Sequence, residues 1–166
     1  MANQIPEGFE PFPSDGSFGD VLQPFYMKYS VDKPSVFGLQ VQKSHLNPMG
    51  ICHGGVYMTL MDFSLSANLC FQLGKFVGTP TINFTMDFLS SSTLSDFIWG
   101  DIETLKVTNT MGFVQGVIRN AENIPLARAN ATFKLPNDID KAPGITLKQL
   151  DEMRAKETVP QSSIIK

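Results

Sequence analysis

The amino-acid sequence predicts an α+β fold in which a curled antiparallel β-sheet of about five strands wraps one long central helix. Three observations carry that prediction. The run from Val56 to Phe71 is apolar nearly all round: Val56, Leu60, Phe63, Leu65, Ala67, Leu69 and Phe71 cover more than one helical face, so other elements must surround it. Four later segments, Thr81 to Leu89, Phe97 to Val107, Phe113 to Asn120 and Leu126 to Leu135, are rich in β-branched and aromatic residues. Short turn signals separate them, Ser90-Ser91-Ser92, Asn109-Thr110-Met111-Gly112 and Asn120-Ala121-Glu122-Asn123, and these suit an antiparallel meander.

Taken in order, residues 1–34 read as an irregular lead-in. Pro6, Pro11 and Pro13 break any sustained period there, and from Phe18 to Tyr29 roughly helical spacing lasts until Pro24, which suits a short helix or turn over one end of the core. The main domain spans residues 35–135. Ser35 to Ser44 alternates as a first strand with Phe37, Leu39 and Val41 on one face, and a polar loop from His45 to His53 follows. The helix then starts at Gly54 or Gly55 and ends at Gly74, about 30 Å at about 1.5 Å per residue. In the tail, residues 136–166, Asn137 and Asp138 end the strand pattern, and Thr146 through Lys156 has the Thr cap and spacing of a surface helix.

Composition narrows the function classes. With 166 residues the chain has enough material for one sizeable core, and a charged share of only 17% suggests that a second subunit covers part of the surface. A formal net charge of -3 without a basic cluster argues against nucleic acid as a partner. Asp62, Ser64, Ser66 and Asn68 interrupt the apolar run, which therefore falls short of a membrane span. Cys52 and Cys70 lack metal-type spacing and no apolar secretory leader precedes the domain, so reduced thiols in the cytoplasm are expected.

The chemistry concentrates in the loop and helix. Free amides at the helix N-terminus, at Gly54 and Gly55, together with the positive end of the macrodipole, would stabilise an oxygen gaining negative charge. Asp62 lies eight residues on, about 12 Å along the axis, too far to serve the N-terminus of its own helix. Two antiparallel helices across a two-fold axis would instead bring Asp62 of one chain to Gly54 of the other. That arrangement suits acyl transfer: Asp62 attacks a carbonyl or activates a water, a glycine amide holds the oxyanion, and Asn47 positions the water or the carbonyl. A lone helical Asp can equally be a solvated residue or a structural hydrogen-bond partner. His45 and His53 are the only histidines. Neither has metal-pair spacing, no metal site is expected, and each ring is better explained by bonds to the loop backbone.

The stretch Asn47-Pro48-Met49-Gly50, then His53-Gly54-Gly55, then Asp62, resembles the signature of hotdog-fold acyl-CoA thioesterases of the phenylacetic-acid-degradation type. The resemblance covers roughly residues 35 to 135. It implies that Asp62 is the nucleophile or general base, that the Gly54 amide polarises the thioester carbonyl from the partner subunit, that Asn47 assists and that His53 shapes the loop. The strand Pro80-Thr81-Ile82-Asn83-Phe84 is similar to the one that carries a hydroxyl residue near the site, which places Thr81 there with Asn83 on the same strand. By the same likeness the thiol carrier runs over Lys106, Thr108, Asn109, Thr110 and Lys134, although members often have a Gly-Arg or Gly-Lys pair in that turn. The implied protein is a homodimer, or a dimer of dimers, that uses no cofactor beyond the coenzyme A of its acyl- or aryl-CoA substrate. Two rivals share the fold: a non-catalytic acyl or aryl ligand-binding protein, and an acyl dehydratase or hydratase.

Overall fold

In the computed structural model, which describes residues 5–14, 16–30 and 32–157, the central helix is α1, Gly54–Leu73. His53 caps its start and Gly74, left-handed at φ 73°, closes its end. Among the described residues nine strands accompany it: β1 Glu10–Pro11, β2 Phe25–Lys28, β3 Val36–Gln40, β4 Lys75–Val77, β5 Thr81–Phe88, β6 Phe97–Val107, β7 Met111–Asn120, β8 Pro125–Lys134 and β9 Gly144–Thr146. Seven of them form one antiparallel sheet in the order β1-β2-β3-β6-β7-β8-β5, while β4 pairs with β9. The predicted class holds.

Two features differ from the sequence reading. The lead-in is not merely irregular, because β1 and β2 extend the sheet beyond β3; the short helix expected there is a 3-10 turn, Phe18–Leu22. Nor do the strands form a simple meander. β5 pairs with β8, from Thr81 opposite Phe133 to Phe88 opposite Ala127, so Ser90-Ser91-Ser92 does not close a hairpin between β5 and β6. That segment instead crosses beneath the start of α1, where Ser92 O accepts from Cys52 N at 2.8 Å and Ser92 Oγ bonds Tyr57 Oη at 2.7 Å.

The inner face of α1 presents Leu60, Met61, Leu65 and Leu69, all fully buried, to the sheet. Small residues let the helix settle closely. Ala127, Ala129 and Ala131 alternate inward along β8, and a Cβ at Gly116 of β7 would stand 2.8 Å from Asp101 O and 2.9 Å from Met61 Cε. At the lead-in end, Phe63 meets Phe37 edge-on at 4.9 Å and Phe25 stacks on Phe37 at 5.7 Å. After the sheet, Lys75 Nζ donates to the carbonyls of Ile139, Asp140 and Ala142, which clasps the following loop. Helix α2, Leu147–Glu157, then starts on a reciprocal cap: Gln149 N donates to Thr146 Oγ1 and Thr146 N to Gln149 Oε1. Residues 158–166 of the tail lie outside the described residues. No described helix is long and apolar enough to cross a membrane.

Candidate active site

The loop that feeds α1 is held by its own polar side chains. Asn47 Oδ1 accepts from Met49 N at 2.9 Å and from Ile51 N at 3.4 Å, fixing the turn at Gly50; its carbonyl is thus committed to the loop, and its amide is the group left for a substrate. His53 Nδ1 accepts from Gly55 N at 2.9 Å. This settles a point the sequence left open: the Gly55 amide is engaged by the cap, whereas among the described residues no acceptor takes the Gly54 amide. Gly54 opens onto a cleft shared with Asn47, Tyr57, Phe88 and Ser90, and a Cβ there would come within 3.1 Å of the Phe88 ring.

Asp62 sits on the outward side of α1, across the helix from the buried Leu60, and is exposed. Thr81 Oγ1 donates to Asp62 Oδ1 at 2.9 Å, and one turn further on Ser66 Oγ bonds Thr79 Oγ1 at 2.8 Å. The two rungs fit because four helical residues advance about 6 Å and two extended residues about 6.6 Å. Ser66 and Thr79 escaped the sequence reading, although Ser66 at four residues from Asp62 on one helix face was the signal for them. A groove of about 480 Å³ surrounds this ladder, walled by Phe18, Leu22, Met58 and Phe84.

Other nucleophile arrangements are not supported by the surroundings. Burial pushes the Cys52 thiol up to about 11, so it is not a thiolate beside His53, and burial also raises Cys70. His45 is buried: its Nδ1 accepts from Gln42 N at 3.0 Å, so the neutral ring carries its proton on Nε2 and donates to Val21 O at 3.1 Å. Burial lowers its affinity for a second proton.

The remaining predicted residues fall into two groups. Asn83 lies on β5 opposite Thr132, past a register shift that separates it from Thr81. Lys106, Thr108, Asn109 and Thr110 form the β6–β7 hairpin, and Lys134 at the end of β8 lies opposite Met111 beside it. Thr108 does not offer its hydroxyl outward, since Oγ1 accepts from Met111 N and donates to Met111 O, each at 3.0 Å. Among the described residues neither Lys106 nor Lys134 enters a salt bridge.

A helix seated in the concave face of an antiparallel sheet is the hotdog arrangement that the motif predicts. Solved structures agree: thioesterase superfamily member 2 of zebrafish superposes with a TM-score of 0.66 at 19% identity over 74% of this chain and 88% of that one. The E. coli PaaI protein from the phenylacetic acid degradation operon gives 0.64 at 19% identity over 80% and 88%. A Streptococcus pneumoniae protein described as a hypothetical thioesterase, solved with coenzyme A, gives 0.60 at 23% over 74% and 88%. At these identities the likeness is one of fold. In sequence, a Pseudomonas aeruginosa protein provisionally named an esterase is 26% identical over 132 residues, 80% of this chain and 98% of its own. The sequence model described as the thioesterase superfamily matches residues 49–127, from the Gly54 loop through β8's first residues. Over that stretch, just under half of the chain, the sequence is similar to the thioesterase superfamily.

Proposed function

We propose that this chain hydrolyses the thioester of an acyl- or aryl-CoA, as a homodimer in which each site takes Asp62 from one subunit and the Gly54 amide from the other. The observation that carries this reading is the pairing of an exposed carboxylate, one oxygen fixed by Thr81, with an amide left open about 12 Å away along the same helix. Neither half completes a site alone. A second copy is supported by the edge strand β5, unpaired along one side and carrying the exposed Ile82, and by the exposed apolar side chains Met58, Phe88 and Leu89 that line the two grooves. Coenzyme A is supported by relatives of the same fold, the S. pneumoniae protein solved with it and a Streptococcus mutans protein bound to acetyl CoA.

In this reading Asp62 attacks the thioester carbonyl directly or takes a proton from the water that attacks it. The carbonyl oxygen becomes an oxyanion held by the partner's Gly54 amide and the positive helix end. Collapse breaks the carbon–sulfur bond: in the water route the acid forms and the thiolate leaves with the proton that Asp62 took up, whereas after direct attack the acyl group stays on Asp62 as an anhydride until a water hydrolyses it and supplies the thiolate's proton. Asn47 contributes its side-chain amide to the carbonyl or the water. Lys106 and Lys134 are free to meet coenzyme A phosphates, with Asn83, Asn109 and Thr110 alongside, whereas Thr108 serves the hairpin itself. No cofactor is required. His45 has both ring nitrogens bonded and His53 Nδ1 is taken by the helix cap, which favours hydrolysis over a dehydratase that works through a histidine and acid pair. Two buried free thiols fit a reducing compartment, and we place the enzyme in the cytoplasm.

A complementation experiment tests the composite site. Asp62→Asn and Gly54→Val are each expected to be inactive alone. Mixed after unfolding and refolding, they should recover about a quarter of the parent rate, since half of randomly paired dimers are mixed and each holds one intact site. A mixture no more active than its two parents would show that both groups act within one chain or not at all.

A further inference from the structure

The Asp62 groove does not end at Ser66. A second cavity of about 430 Å³ begins there, sharing Phe63 and Ser66 with the groove, and runs between α1 and segments outside the residues 49–127 that match the superfamily. Phe12 and Met27 line it from the lead-in; Ile145, Leu150 and Met153 line it from β9 and α2. Its wall is mostly apolar; the polar exceptions are Ser66 at the mouth, where the Ser66–Thr79 rung lies, and Glu10 and Ser35 on the lead-in side.

We infer that this chamber receives the hydrocarbon part of the substrate, and that the substrate is a thioester of a medium-chain aliphatic acid. The inference rests on the hydrolase reading for the position of the thioester at Asp62. Continuity through Phe63 and Ser66 lets a chain leave the carbonyl, pass the rung and enter without crossing the core. The size sets the class. A methylene fills about as much space as one liquid water, about 30 Å³, so roughly ten carbons occupy most of the chamber. A two-carbon acyl group leaves it empty, and one aryl ring fills only its mouth. The lead-in and the C-terminal segment thereby become specificity elements: without β1, β9 and α2 the outer wall of the chamber is absent.

The test uses S-alkyl-CoA thioethers, which bind without being cleaved, so that binding is read apart from hydrolysis. In the parent protein S-decyl-CoA should bind far more tightly than S-butyl-CoA, each added methylene contributing up to about fourfold. Two variants fill the chamber from opposite sides, Ala67→Phe from α1 and Ile145→Trp from β9. The second lies outside the helix–sheet core and keeps the test valid if the first fails to fold. Each should reduce the decyl-over-butyl preference by about tenfold or more, the equivalent of two lost methylenes. Equal affinity for decyl and butyl in the parent, or a preference that survives Ile145→Trp, overturns the chamber. Phenethyl binding as tight as decyl overturns the choice of a chain over a ring. A strong decyl preference in a protein that leaves decanoyl-CoA uncleaved overturns the hydrolase reading and upholds the chamber.

Discussion

The two faces of α1 carry polar residues at the same spacing and treat them in opposite ways. On the inner face Ser64 and Asn68 are buried and bonded within the chain: Ser64 Oγ donates to Leu60 O at 2.7 Å, and Thr104 Oγ1 donates to Asn68 Oδ1 at 2.7 Å. On the outer face Asp62 and Ser66 each take one bond from the 79–81 segment and stand in the groove. Polarity on a helix therefore does not mark a site. What marks it is a polar group whose bonding is incomplete and whose surroundings are open.

The sharpest way to break this comparison is to exchange one residue on each face. Asp62→Asn should lower kcat by about 10²- to 10⁴-fold, the usual contribution of a positioned acid–base group. Because Asp62 is exposed, its Tm should stay close to the parent's. Asn68→Ala leaves the Thr104 hydroxyl without its acceptor and should cost about 1–3 kcal/mol. Thermal melts would read that as a drop of roughly 2–4 °C per kcal/mol, while kcat below the melting range holds near the parent value. A turnover loss in Asn68→Ala as deep as in Asp62→Asn would erase the distinction between the faces.

Thr81 sharpens the outer side. Removing its hydroxyl frees Asp62 Oδ1 to rotate, so Thr81→Ala should slow turnover roughly tenfold, about the worth of one hydrogen bond to a charged group. Thr81→Ser keeps the hydroxyl and should restore most of the rate. If serine is as slow as alanine, the hydroxyl is not what holds the carboxylate, and the loss belongs to strand packing.

The same contrast explains what could be read from the sequence. The limits of α1 were legible because the glycine pair that opens it, the glycine cap that closes it and the apolar run between them are local signals. The neighbour of β5 was not: a turn signal such as Ser90-Ser91-Ser92 reports that the chain reverses, but pairing with β8 lies some forty residues away and depends on which face the helix occupies. Strand β2 was hidden for a related reason, since Phe25–Lys28 is four residues long and carries apolar side chains on both faces. At the candidate site the residue types were legible and their occupancy was not. Nothing in the order Asn47, His53, Gly55 reveals that the loop consumes the Asn47 carbonyl and the Gly55 amide, because those bonds depend on backbone torsions at Gly50 and His53.

His45 joins the two sides and gives the smallest expected effect. Its buried ring ties Gln42 N to Val21 O, and Val21 belongs to the 3-10 turn whose Phe18, Gly19 and Leu22 wall the Asp62 groove. Burial lowers its pKa from 6.5, so the unfolded chain takes up a proton first as the pH falls. The stability that the neutral ring contributes is complete above about pH 6.5 and is lost as the pH drops toward the lower folded value, at up to about 1.4 kcal/mol per pH unit. Glutamine at this position can accept from one backbone group and donate to the other without titrating. The Tm of His45→Gln, measured against the parent between pH 7.5 and about 5, should therefore gain on the parent progressively as acid is added. A constant difference across that range would mean that the folded and unfolded chains take up the His45 proton at the same pH, so that burial does not hold the ring neutral.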